Sequence, residues 1–203
     1  MDVRVSIPSS VADLFGSPDR AVARPGLPAR RTLAAVAALL AGTAALAQQP
    51  AAPSPGPEVK KLEAFAGKWK GEAEMKAGPW GPGGKIASES ACAWYDGGWQ
   101  LVCRENGSGF MGNFKSEYVL GWSPEEKVYK YAGHDSMGQM SWATGSVSGN
   151  TWTWKSTDKR NGKTIHSRYT VTLDTPKSQS FRYETSDDGQ SWTVAADGRS
   201  NKQ

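Results

Sequence analysis

A chain of 203 residues with a formal net charge of +4 has room for one ordinary domain and some additional sequence. Beyond residue 47 the charge is only +2 and evenly spread, which argues against nucleic acid or an anionic membrane surface as a partner. The two histidines, His134 and His166, have no second His, Asp or Glu at ligand spacing beyond the adjacent Asp135, so there is no metal signature.

The chain begins with a leader. Residues 1–31 hold five arginines, four prolines and no lysine, and Thr32–Leu46 follows as an apolar run of 15. Ala45-Leu46-Ala47 then supplies an A-x-A site. A basic stretch, a short apolar core and such a site make a secretory signal peptide. The run is shorter than the roughly 20 residues of a membrane span, so no stable membrane insertion is expected after cleavage. The leader exceeds the usual length of about 30 residues, so either its n-region is unusually long or the true start lies downstream of Met1. Its Arg30-Arg31 pair sits in a context that matches a twin-arginine signal poorly, which favours ordinary export. The expected destination is the periplasm or the medium. Taking the leader's five arginines from 24 basic residues and its three aspartates from 20 acidic ones leaves 19 and 17, a net charge of +2 for the mature chain.

Residues 48–57 (QQPAAPSPGP) read as an extended Pro/Ala linker, and 58–203 as the folded domain. Pro57 and Glu58 open a short helix, with Val59, Leu62, Phe65 and Ala66 on one face and Gly67 ending it. After Gly67 the period falls to two: Trp69, Gly71, Ala73 and Met75 alternate with Lys68, Lys70, Glu72, Glu74 and Lys76. Ala77–Gly84 is a loop. Nine more short segments follow, at 85–95, 99–107, 114–122, 128–135, 139–147, 151–157, 163–174, 179–186 and 191–196. Turn formers such as Asp96-Gly97-Gly98 and Ser148-Gly149-Asn150 separate them. These connections are too short for parallel crossovers, and closure removes the two exposed edges of a flat sheet. The expected fold is all-β: a single antiparallel up-and-down barrel of about ten strands with one short N-terminal helix.

The two cysteines fall in one hairpin. If Gly97 and Gly98 centre its turn, facing positions sum to 195, and so do Cys92 and Cys103. Side chains so placed, in an exported protein, form a disulfide.

Catalytic motifs are missing. The chain has no G-x-S-x-G elbow and no phosphate loop, and Gly81-x-Gly83-Gly84 lacks the helix that a nucleotide site requires. An enzyme of unknown type therefore ranks third among the readings. No cofactor is implied, since His134 lies on the Lys130 face and reads as exposed rather than as a haem ligand. The aromatic content is more informative. All nine tryptophans lie beyond the leader. Alternation places Trp69, Tyr118, Trp122, Tyr129, Tyr131, Trp142, Tyr169, Phe181, Tyr183 and Trp192 on inward faces, and Trp152 with Trp154 on another shared face. Most fill the core; the rest line a cavity in the barrel mouth. Asp135 shares the Tyr129/Tyr131 face, where it either caps the turn Ser136-Met137-Gly138 or presents a carboxylate at the rim. Arg168 alternates onto the polar face; turned inward, it would pair with Asp135 or with a ligand carboxylate. The candidate ligand-binding residues are Trp122, Tyr131, Asp135, Trp142, Trp154 and Arg168, around a small hydrophobic or aromatic molecule bound by a monomer. The runner-up is a structural or envelope-interaction domain whose barrel is filled.

The segments Gly67-Lys68-Trp69-Lys70-Gly71-Glu72, Val102-Cys103-Arg104, Leu120-Gly121-Trp122-Ser123-Pro124, Asp135-Ser136-Met137-Gly138, Thr151-Trp152-Thr153-Trp154 and Arg168-Tyr169-Thr170 resemble, in order, a bacterial domain-of-unknown-function family of exported, lipocalin-like barrels. The likeness spans about residues 58–200. It implies the calycin-type fold and no particular reaction.

Overall fold

The structure is a computed structural model, and it describes residues 54–78, 81–160 and 162–203. The expected leader over 1–47 and the expected linker through residue 53 lie outside these, as do Pro79 and Trp80 of the loop. Helix α1 (Pro57–Lys60) runs into a 3-10 turn (Lys61–Phe65). Ten strands follow: β1 (Gly67–Met75), β2 (Gly84–Trp94), β3 (Leu101–Gly109), β4 (Gly112–Ser123), β5 (Val128–Asp135), β6 (Met140–Ser148), β7 (Thr151–Arg160), β8 (Lys163–Thr175), β9 (Ser178–Ser186) and β10 (Thr193–Lys202). Each pairs antiparallel with its neighbours in sequence, and β1 pairs with β10 to close the barrel.

Several boundaries differ from the sequence pattern, among them the end of β7, which runs on to Arg160. β10 continues past Ala196 to Lys202. Its last residues, Asp197-Gly198-Arg199-Ser200-Asn201, show no apolar alternation; ladders to β1 on one side and β9 on the other hold them extended. β3 starts at Leu101 rather than Trp99, because Tyr95 N–H donates to Gln100 O and Gly98 N–H to Tyr95 O, closing a loop between them. Gly97 and Gly98 both take positive φ there (84° and 69°), a conformation that glycine adopts without strain. The pairing sum is unchanged. Cys92 faces Cys103 and the two form a disulfide, with Cα atoms 4.0 Å apart.

The helical segment seals one end of the barrel. Leu62, Val59 and Phe65 are buried, and the ring of Phe65 meets Trp152 edge-on at 5.0 Å. Three polar contacts fix the plug. Trp69 Nε1 donates to Phe65 O (3.0 Å), Trp94 Nε1 to Glu63 Oε2 (2.6 Å), and the Tyr129 hydroxyl to Glu58 Oε2 (2.8 Å).

Inside the barrel, glycine and aromatic residues face each other across the ladder: Gly107 with Phe114, Gly133 with Tyr118, Gly145 with Trp154, and Gly198 with Phe181. A Cβ added at Gly145 would stand 2.6 Å from the Trp154 ring. The missing side chain leaves room for the ring, and the ring covers the glycine.

The β9–β10 turn carries a testable charge effect. Asp188 Oδ1 accepts from the backbone N–H of Ser191 (2.7 Å) and Gln190 (2.7 Å) and from the Ser186 hydroxyl (2.8 Å). These bonds, that from Ser191 foremost, hold its carboxyl well below the usual carboxylate range. A depressed folded-state pKa adds stability above the unfolded value, near pH 4, and loses it as pH falls toward the folded value. Thermal midpoints measured from about pH 5 down to about pH 2 should fall less steeply in Asp188→Asn, which keeps an acceptor without the charge. Parallel slopes in the two proteins would refute this.

Candidate functional site

At the plugged end the interior is solid: Tyr129 packs on Trp122 at 4.8 Å and on Trp152 at 4.7 Å. Beyond this layer the barrel opens into a cavity of about 390 Å³. Its floor is Phe65, Trp69, Leu120, Trp154 and Val171; its walls carry Tyr118, Tyr131, Tyr169, Tyr183 and the carboxylate of Glu105; toward the mouth come Ser156, Asp158 and Arg160. The alternation that packs the floor also aims these groups inward. Glu105 follows Cys103 by two residues and faces Ser90 and Ser116 across its two ladders. Asp158 and Arg160 continue the inward series begun by Trp152 and Trp154.

The polar groups differ in how far they are satisfied. Glu105 Oε2 accepts from the Ser116 hydroxyl at 3.2 Å, and no cation lies within ion-pair distance of it among the described residues. The Tyr183 and Ser167 hydroxyls bond each other at 2.9 Å. Asp158 Oδ2 accepts from Ser156 (3.0 Å), and Arg160 Nη2 donates to Gln139 Oε1 (3.0 Å). The hydroxyls of Tyr118, Tyr131 and Tyr169 have no hydrogen-bond partner among the described residues. Burial pushes all three phenols up, Tyr131 to about 12, and the Glu105 charge adds to the effect at each. They are neutral donors throughout the physiological range. Gln179, also on the cavity wall, donates to Ser200, but its buried Oε1 has no partner.

The residues picked out from the sequence divide. Tyr131 and Trp154 stand on the cavity wall. Trp122 does not: it belongs to the solid layer beside Tyr129. Trp142, expected inward, borders the cavity between Ser141 and Ala143, but it stands on the outer side of β6 opposite Ala132 and is 58% exposed. The inner side of β6 is Ser141, Ala143 and Gly145, kept small by the Trp154 ring over Gly145. Trp192, also expected inward, lies outside beneath the Arg168 guanidinium, 4.3 Å from the ring centre. Arg168 itself faces out, with Nε and Nη2 bonded to the two oxygens of Glu184 (2.8 and 3.0 Å). That pair on the outer surface meets the guanidinium's need for an acceptor, so it does not turn inward to Asp135. Asp135 sits at the rim with Oδ1 accepting from the N–H of Met137 (2.8 Å) and Gln139 (3.0 Å), the turn cap of the two readings.

Glu105, Tyr169, Asp158 and Arg160 were not among the residues picked. Glu105 was within reach of the sequence: it lies two residues from Cys103, and the disulfide register fixes which way that face points. His134 pairs with Glu117 and His166 with Thr157; neither lines the cavity. Among the described residues no group of three or more His, Cys, Asp or Glu is placed to hold a metal ion, and no helix is long and apolar enough to cross a membrane.

Two solved structures share this architecture. The Rv2717c protein of M. tuberculosis matches 73% of this chain and 98% of its own at 13% identity and a TM-score of 0.50. An S-type phycobiliprotein lyase from Guillardia theta matches 71% of this chain and 91% of its own at 10% identity and a TM-score of 0.52. At such identities the likeness is one of fold. No curated protein matches the chain. The model of one family, described as a protein of unknown function (DUF1579), matches residues 54–201, and the chain belongs to that family.

Proposed function

We propose that this protein is an exported barrel that holds a small, partly apolar molecule in its interior. The observation that carries this is the cavity of about 390 Å³ walled by tryptophan and tyrosine, inside the usual range of roughly 300–1,000 Å³ for small-molecule pockets. Tyr131 and Trp154 contribute the aromatic surface, with Trp69 and Phe65 at the base. A closed barrel has no free edge to pair with another chain, which supports a working monomer. The Cys92–Cys103 disulfide suits an oxidising compartment, and with the leader it supports delivery to the periplasm or the medium. N-terminal sequencing of the exported product should begin at Gln48.

Tryptophan emission tests the binding directly. Titration with a panel of small aromatics, amines and fatty acids should give at least one saturable change in intensity or wavelength, and Trp154→Phe should remove most of it. A flat response to every compound, with the fold intact, would sink the proposal. A second reading, an envelope-interaction domain, draws on Met137, Met140 and Trp142, which are exposed at 51%, 63% and 58% along β6 and its preceding turn.

A further inference from the structure

We propose that the ligand is an organic cation: a protonated amine or quaternary ammonium on a small apolar or aromatic body, with Glu105 as its counter-ion. This rests on the cavity being a binding site and adds the chemistry of the occupant.

The wall is unusual in what it offers. Glu105 is an inward carboxylate whose nearest satisfied contact is a single serine hydroxyl, and no cation lies within ion-pair distance among the described residues. Around it stand the rings of Tyr118 and Tyr131, stacked at 5.3 Å, with Trp154 6.4 Å from Tyr131. Tyr169 and Tyr183 face each other across the β8–β9 ladder on the same inner surface. Ring faces carry negative charge density, so a carboxylate among them makes a place that favours positive charge and repels an anion. Carbonyl and phenol oxygens add acceptors without adding charge. The buried Gln179 Oε1 is one acceptor still waiting for a donor, and such atoms are rare enough to need an explanation. The phenols are held neutral, so they can turn their lone pairs to an ammonium N–H.

The charges nearer the mouth do not reverse this. Asp158 and Asp135 are negative, and Arg160, the one basic residue on the cavity wall among the described residues, is drawn to Gln139 at the rim. A fatty acid or other carboxylate would have to bring its charge past two aspartates to reach a carboxylate. A cation meets the opposite gradient.

Calorimetry on the mature chain with three probes of matched size tests this: 2-phenylethylammonium, 2-phenylethanol and 3-phenylpropanoate. The expected result is that the ammonium binds about tenfold or more tighter than the alcohol, the scale of a charge-assisted hydrogen bond, and that the carboxylate binds weakest. Glu105→Gln should bring the ammonium down to the level of the alcohol. Equal or tighter binding of the alcohol or the carboxylate by the unaltered protein would overturn the cation assignment and leave the cavity reading standing. Heat-silent titrations with all three would overturn both. Because the selectivity is read first on the unaltered protein, a poorly folded variant does not decide the outcome; Tyr118→Phe, which should weaken the ammonium more than the alcohol, provides a second variant.

Discussion

Replacing Trp152 by alanine is expected to cost about 3–5 kcal/mol, the usual loss on truncating a buried aromatic ring. Trp152 is only 2% exposed and sits where the plug meets the barrel. Phe65 touches its ring edge-on at 5.0 Å, Tyr129 at 4.7 Å, and Trp154 stacks on it at 6.1 Å. Removing it leaves the helical segment without its main partner and opens a void that rigid neighbours cannot close. For a domain whose whole stability is roughly 5–15 kcal/mol, this is a large share. Urea denaturation followed by circular dichroism measures it as a fall in midpoint at constant slope. Trp99→Ala makes the control: Trp99 is 41% exposed in the β2–β3 loop, and a loss within about 0.5 kcal/mol is expected. If the two variants fall together, the plug does not anchor on Trp152.

Opening the Cys92–Cys103 bridge should cost about 2–3 kcal/mol, the range for a short closed loop. The two residues are 11 apart in sequence, so the entropy released to the unfolded chain is modest. Both sulfurs lie in the core, Cys103 at 0% exposure and Cys92 at 7%, which separates two contributions. Reduction alone removes the crosslink and keeps the volume; the double Cys→Ala variant also loses packing and should fall further. The effect should reach the cavity as well. Cys103 faces Tyr118 across the β3–β4 ladder, and Glu105 lies two residues on along the same face. Thermal midpoints with and without reductant test the first statement. A shift below about 1 °C on full reduction, where about 1 kcal/mol corresponds to several degrees, would show that the crosslink does not restrain this hairpin.

How much of this was legible in the sequence depended on what each residue type encodes locally. Period-two alternation in stretches such as Lys68–Lys76, broken by Gly, Pro, Asn and Asp, carries strand identity because side chains must alternate across a sheet. Gly97-Gly98 encodes a turn whose centre fixes a register, and from it the disulfide could be read. Alternation does not say which face of a strand is inside when both carry bulk. On β6 the large Trp142 looked like the core residue, yet the inner positions are Ser141, Ala143 and Gly145, because the ring that fills that space arrives from β7. Arg168 found its partner on β9 and its aromatic neighbour in the following loop, choices made by three-dimensional proximity.

By itself, then, the sequence determined the elements, the all-β class, the hairpin register and the aromatic richness of the interior, since these follow from periodicity, turn chemistry and short-range pairing. The register in which β1 closes on the featureless end of β10, the seating of the plug on Trp152, and the meeting of Glu105 with Tyr118, Tyr131 and Tyr169 were decided only by the tertiary structure. They depend on which strands curve to face each other across the barrel, and no local pattern of residues carries that distance.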